Sequence, residues 1–297
     1  MNRNRLKLKL HLFLNLDKVF QIHLNQSFLI VFSFFLNSSL LMLFMHSILK
    51  NFRKGKYNSK PFPYIVIDNA LPFDYYNQLD ASFPEYQKII NNQEYFQNYA
   101  YRKNAAESLS DKLIPEIWKN FIRYHTSFNF VREVYEIFGK DIIVNYPPMK
   151  NNLLQEHHCG TRFLEKKDFN LDTQFVINTP VEQKSSVIEP HLDNPIEFFA
   201  GLLYMRNADD NSQGGNLCTY RFKKDPIFYG KSRVKNENVD LIQEIEYKPN
   251  RLVFFVNTLH SLHGVSQKSI SPHYRKYINI IGEFNFELFN FRHYLEN

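Results

Sequence analysis

From about residue 142 the hydrophobic pattern shifts toward a spacing of two, and Gly, Pro, Asn or Asp interrupts it every eight to twelve positions. A spacing of two puts successive side chains on opposite faces of an extended chain, so each segment must pair into a sheet to bury its apolar face. The candidate strands are 173–179, 185–193, 199–206, 215–222, 242–249, 251–257, 261–265 and 275–284. Short strands with turn residues between them predict a β-sandwich or a jelly roll, and the mouth of such a fold is a common place for a ligand or metal.

The half before residue 142 reads differently. "PFPYIVIDNALP" holds a β-rich run, 64–67, closed by Asp68-Asn69 and Pro72. "FDYYNQLDASF" follows with helical spacing, and a second stretch from Ser108 to Gly139 repeats apolar positions at three and four. Ser108 or Ser110 would cap that helix and Gly139 would stop it.

The net charge of +6 is unevenly distributed. Residues 1–60 carry ten Lys/Arg and one acid, Asp17, which leaves 26 basic and 29 acidic residues for the rest. A mildly acidic body argues against nucleic acid as a partner. Within the basic leader, 28–45 is an apolar run at the short end of what spans a bilayer, and it lacks the small residues of a cleavage site. Its readings are a membrane anchor, an amphipathic extension, or an upstream stretch with Met45 as the true start. A cytoplasmic location is expected, with membrane attachment through 28–45 as the alternative. Cys159 and Cys218 cannot form a disulfide framework and do not fix the compartment.

"EPHLDNP" sets His191 and Asp193 one residue apart. Residues i and i+2 of an extended segment share a face, so an imidazole and a carboxylate can point at one ion. "TLHSLHGVS" offers a third donor, His260 or His263. These two have opposite parity, and Gly264 beside His263 permits close approach, which favours His263. Two histidines and one carboxylate suit a non-haem Fe(II) centre with open coordination positions. Taken singly, each has an ordinary reading as a hydrogen-bonded polar residue of the core.

Other motifs carry less. "EHHCGTR" gathers His157, His158 and Cys159, which are zinc-type donors without a second pair at suitable spacing. "GGNL" lacks the lysine of a phosphate loop. The charged segment 221–240 suits a solvated loop, or alternatively a substrate-recognition lid.

In order, the chain presents "PHLD" (190–193), "GLLYMR" (201–206), "GGNL" (214–217), "NRLVFFVNTLHSLHGVS" (250–266) and "RKYINIIGEF" (275–284). This series resembles the 2-oxoglutarate and Fe(II)-dependent dioxygenases, and within them the prolyl 4-hydroxylase-like branch, over roughly residues 170–285. The resemblance implies a double-stranded β-helix (jelly-roll) core preceded by N-terminal helices. It further implies one oxygenase domain over 61–297, with a helical part at 61–141 and a jelly-roll core at 142–285. It implies Fe(II) held by His191, Asp193 and His263, and 2-oxoglutarate as cosubstrate on Arg275, with ascorbate as a possible auxiliary. Lys276, of opposite parity, is the weaker anchor. Tyr204 and Tyr277 are candidate cosubstrate neighbours, each with an alternative reading as a core aromatic. The implied activity is hydroxylation of a peptide, amino acid or small metabolite, with release of succinate and carbon dioxide. The competing expectation is a cupin-like metal- or ligand-binding jelly roll without 2-oxoglutarate, for which an arginine at 275 has no evident task.

Overall fold

Pro115 divides the helical half, because proline gives no N–H to the preceding turn and holds its neighbour out of the α region. The computed structural model describes residues 46–151, 154–185, 189–230 and 232–295, which fall within the unit His46–Asn297. Its helices are α1 (Phe73–Ala81), α2 (Tyr86–Ile90), α3 (Ala105–Ser110), α4 (Glu116–His125) and α5 (Phe128–Asn145). The single helix expected from Ser108 to Gly139 is therefore three.

Its cap is Asn104, not Ser108 or Ser110. The Asn104 side chain accepts from the Glu107 N–H at 2.9 Å, and the Glu107 carboxylate accepts from the Asn104 N–H at 3.0 Å. That reciprocal pair satisfies two donors that the first turn would otherwise leave open. Gly139 lies inside α5 at a place where an added Cβ would meet nothing within 4 Å, so it does not end the helix. Along α4, Trp118, Phe121, Ile122 and His125 are buried, the three-four spacing of one helix face.

The strands are β1 (Lys56–Asn58), β2 (Tyr64–Ile67), β3 (Ala100–Lys103), β4 (Cys159–Thr161), β5 (Phe169–Asn178), β6 (Glu197–Tyr204), β7 (Leu217–Phe222), β8 (Val239–Ile245), β9 (Leu252–Val256), β10 (His263–Val265) and β11 (Arg275–Phe284). They build a large sheet in the order β1-β2-β9-β6-β11-β5-β3, with β4 parallel to β5, and a small sheet in the order β10-β7-β8. β1 to β3, from the mainly helical half, join the large sheet, so that half contributes strands as well as helices.

β11 pairs with β5 on one side and β6 on the other. One face of this centre carries Phe175, Ile177, Phe199, Phe254, Ile278 and Ile280, which share a core with Trp118, Phe121, Phe130 and Phe138 of the helices. Burying each such ring removes apolar surface worth about 1.5–3 kcal/mol from water. Arg275, Tyr277, Asn279 and Ile281 point the other way, into a cavity between the two sheets.

The chain is thus mainly β with α, as expected, with two facing sheets. No ladder connects the two among the described residues; isolated bridges such as Val181↔Ser271 and Ser185↔Lys268 only pair the segments beyond β5 and before β11, and the sheets do not close into a continuous barrel. One expected strand, 185–193, does not form among its described residues. Pro190 has no N–H for a ladder, and His191 instead makes single bridges to His263 and Arg233. Among the described residues no helix is long and apolar enough to cross a membrane. The run 28–45 lies outside them, as does Met45.

Candidate metal centre and adjoining cavity

The two bridges at His191 bring its ring beside that of His263, with centroids 4.5 Å apart. Asp193 Oδ1 lies 3.8 Å from His191 Nε2 and 3.6 Å from His263 Nε2. His191, Asp193 and His263 form the one group among the described residues whose donor atoms all lie within 4.8 Å of one another. His260, the alternative donor, is exposed.

Backbone carbonyls set the direction of both rings. His191 Nδ1 donates to Glu189 O at 2.9 Å, and His263 Nδ1 donates to Ser261 O at 2.9 Å. With the proton held on Nδ1, the Nε2 lone pairs are left to face Asp193, the outer-shell arrangement that metal-bound imidazoles use. Metal bonds of about 2.0–2.2 Å put adjacent donors roughly 3 Å apart. Closing on an ion therefore asks Asp193 to approach each histidine by under about 1 Å.

The charges agree with that geometry. Burial and the neighbouring His263 pull the His191 imidazole down to about 4. Burial works against ionising Asp193, but His263 and His191 outweigh it and hold the carboxyl below the usual carboxylate range. Burial also opposes charge on His263, yet Asp193 beside it raises its pKa. A carboxylate held ionised between two imidazoles attracts one positive charge, and a divalent cation meets that demand better than a proton. The donor set fits the iron that the resemblance implies.

The cavity of about 480 Å³ starts at this triad and runs along the inner face of β11 to Arg275. Arg275 is 4% exposed. Its Nε donates to Gly215 O at 2.9 Å, and its Nη1 makes a long contact of 3.4 Å to Asn178 Oδ1. Its guanidinium lies 4.9–5.2 Å from the ring centres of Tyr204, Tyr247 and Tyr277. Among the described residues no carboxylate lies within ion-pair distance of it. Gly214 and Gly215 both have positive φ, and a Cβ on Gly214 would come 1.8 Å from Gln267 O. Only glycine permits the turn that aims the Gly215 carbonyl at Arg275.

Lys276 points to the opposite face, where its Nζ meets Asp80 at 3.0 Å. Tyr277 lines the cavity. Tyr204 is fully buried behind the guanidinium; its hydroxyl has no hydrogen-bond partner among the described residues, and burial pushes it up to about 12.

Segment 221–240 does not behave as a simple solvated loop. Phe228 and Val234 are buried with Leu192 and Leu262. Val234 N–H donates to Pro190 O at 2.7 Å, Leu192 N–H donates to Ser232 O at 3.0 Å, and Tyr229 hydrogen-bonds Glu189. The segment therefore packs along the piece of chain that carries His191 and Asp193. His157, His158 and Cys159 form no donor cluster; His158 Nδ1 is taken by the Gln155 N–H at 3.1 Å.

Several candidate residues have no motif in the sequence. Tyr247 completes the aromatic surround of Arg275, and Asn178 reaches it from β5. Arg102 and Glu197 line the cavity near the triad. Alternation in "EIEYKP" assigns a face to Tyr247, but no local pattern brings Arg102 or Glu197 to the site.

No protein-family model and no curated protein sequence matches this chain. Solved structures similar to it include a prolyl 4-hydroxylase from Phytophthora capsici, at 15% identity and a TM-score of 0.44, aligned over 75% of this chain and 59% of that one. A prolyl 4-hydroxylase from Pseudomonas putida aligns at 11% identity and a TM-score of 0.42, over 82% of this chain and 100% of that one. The epimerase SnoN, solved with Fe3+, alpha ketoglutarate and nogalamycin RO, aligns at 10% identity and a TM-score of 0.43, over 74% of this chain and 78% of that one. The chain spans 59% of the length of the first of these. Likenesses this distant carry no argument about chemistry, which has to come from the site.

Proposed function

We propose that the chain is an Fe(II)- and 2-oxoglutarate-dependent dioxygenase that hydroxylates a carbon of a peptide, amino acid or small metabolite. One observation carries the reading. Two imidazole Nε2 atoms and a carboxylate converge at one end of a cavity, and a buried guanidinium with no carboxylate partner among the described residues lines the same cavity. Donors for a cation and a donor for an anion that line one cavity suit a metal and a dicarboxylate chelating it.

His191, Asp193 and His263 would hold the iron, three protein donors that leave positions open. When bound, iron with 2-oxoglutarate supplies the oxidation: R–H, O2 and 2-oxoglutarate become R–OH, succinate and carbon dioxide. Arg275 would take the distal carboxylate through two parallel N–H donors, a task for which a planar fork is suited. Gly215 and Asn178 hold that fork in plane, Tyr277 borders it, and Tyr204 backs it with an unpaired hydroxyl. Phe255, Leu202, Ala200 and Ile281 give the cavity apolar walls. Such walls exclude water from an oxidising centre. A cupin-like reading leaves the buried Arg275 without a partner.

The test is succinate formation dependent on Fe(II) and 2-oxoglutarate, with ascorbate present, in the wild type and in His191→Ala. Turnover in the wild type that the variant loses supports the proposal. Equal turnover in both, or none in either across a broad substrate panel, refutes it.

A further inference from the structure

Two charged side chains that line the cavity on the triad's side make no side-chain hydrogen bond or ion pair among the described residues. Arg102, on β3, makes no ion pair or side-chain hydrogen bond among the described residues and is exposed at the cavity mouth. Glu197, the first residue of β6, lies opposite Glu283 of β11. Glu283 is satisfied by Arg162, whose Nε is 2.8 Å away, whereas the Glu197 carboxylate has neither hydrogen bond nor ion pair among the described residues. The Glu197 carboxylate is half-buried, so a cation bound beside it would offset part of its lost hydration.

The remaining lining fits a small ligand. Gln174 and Asn279 add neutral hydrogen-bonding groups, and Ala200, Leu202, Phe255 and Ile281 add apolar wall. The cavity of about 480 Å³ equals on the order of 16 water volumes at about 30 Å³ each. That is room for a five-carbon keto-diacid and a second molecule of similar size.

We propose that the substrate is a free α-amino acid or a similarly small zwitterion, its carboxylate held by Arg102 and its ammonium by Glu197, with its side chain directed along the apolar wall toward the metal triad. This rests on the dioxygenase reading and narrows its substrate class. A peptide-bonded residue has lost both charges and would leave Arg102 and Glu197 as unpaired as they are now. Electrostatics supports the pairing. Burial, with Asp193 and Glu283 nearby, raises the Glu197 pKa well above the usual carboxylate range, while Arg162 and then Arg102 act in the opposite sense without restoring it. An arriving ammonium supplies the positive charge that favours the ionised form.

The protein loaded with Fe(II) and 2-oxoglutarate under argon is titrated calorimetrically with the common α-amino acids, their N-acetyl derivatives and their methyl esters. Succinate release in air is measured in parallel. At least one free amino acid is expected to bind and to raise succinate release above the substrate-free rate. Its N-acetyl and methyl-ester forms are expected to bind about tenfold or more weakly, since each lacks one charge-assisted contact. Arg102→Gln should abolish the discrimination against the ester, and Glu197→Gln that against the N-acetyl form, whereas loss of a merely structural role would weaken all forms alike. The blocked ligands make the test on the wild type even where a variant fails to fold. If no free amino acid binds, or blocked forms bind as well, the zwitterion proposal falls. Substrate-free succinate release that persists then leaves the dioxygenase reading standing. If 2-oxoglutarate neither binds nor yields succinate, both fall.

Discussion

Replacing Arg275 by Met removes the proposed cosubstrate anchor while keeping an unbranched side chain among the three tyrosine rings. Nε is committed to Gly215 O at 2.9 Å and Nη1 reaches Asn178 only at 3.4 Å, so Nη2 and much of Nη1 remain for a carboxylate. Two charge-assisted hydrogen bonds at roughly 1.5–3 kcal/mol each, discounted for the bond Nη1 already shares, come to about 3–4 kcal/mol. That corresponds to a loss of about 10²–10³-fold in 2-oxoglutarate affinity. The cosubstrate-free protein should respond in the opposite sense. It loses the bond to Gly215, the long one to Asn178 and the cation's contact with three rings, together about 2–3 kcal/mol, but is relieved of a buried cation without a carboxylate partner, a state that costs several kcal/mol. Arg275→Met alone should therefore melt at or above the wild-type temperature. At 2-oxoglutarate a hundredfold over its wild-type Kd the wild type should gain about 2.7 kcal/mol and the variant at most about 0.4 kcal/mol. Calorimetric titration and thermal denaturation with and without 2-oxoglutarate measure both effects. Arg275→Lys, which keeps the charge without the fork, should fall between. Affinity within about threefold of wild type in Arg275→Met would refute the assignment of this residue.

Three further outcomes follow from the structure. His191→Ala should lower Fe(II)-dependent succinate formation by at least about 10²-fold, since two donors leave the metal weakly held, with far-UV dichroism unchanged. Gly214→Ala should lower stability by more than about 2 kcal/mol, through its positive φ and a Cβ contact of 1.8 Å to the Gln267 backbone, and thermal denaturation reads this. His125 gives a pH dependence. Burial holds its imidazole at about 3 against an ordinary 6.5, so between these values the unfolded chain takes a proton that the folded one refuses. Its contribution is complete above pH 6.5 and is lost as pH falls toward 3, on the order of a few kcal/mol. His125→Gln should flatten that part of the acid-unfolding curve, and an unchanged slope would contradict the account.

Legibility in the sequence varied with how local the cause was. β11 spans 275–284 as read, because alternation and flanking turn residues are local signals. His191, Asp193 and His263 could be picked out by spacing and parity, and the structure brings them together even though 185–193 is not a strand. The helix boundaries differ from those expected because the reciprocal Asn104–Glu107 pair starts the first helix before Ser108, and because Pro115 can begin a helix but not continue one. Segment 221–240 looked solvated because its many charges mask two apolar residues, Phe228 and Val234, whose burial depends on contacts with Leu192 and Leu262. Arg102 and Glu197 were illegible for a different reason. They reach one cavity only through the order in which β3, β5, β11 and β6 lie side by side, and sheet order is not a local property.

The packing of 232–234 against 190–192 gives the proposed centre an unusual mechanical support. The piece of chain that bears two of the three donors is held by single bridges on either side and belongs to no continuous ladder. A sheet strand opens with its sheet, but this piece can open with the surface insert alone, as a small cooperative unit of its own. The amides of Leu192 and Val234 should therefore exchange with solvent at a common rate, faster than those of β11. Substitutions far out on the insert should tune how tightly an ion is gripped without altering any donor, which leaves grip and chemistry free to vary independently.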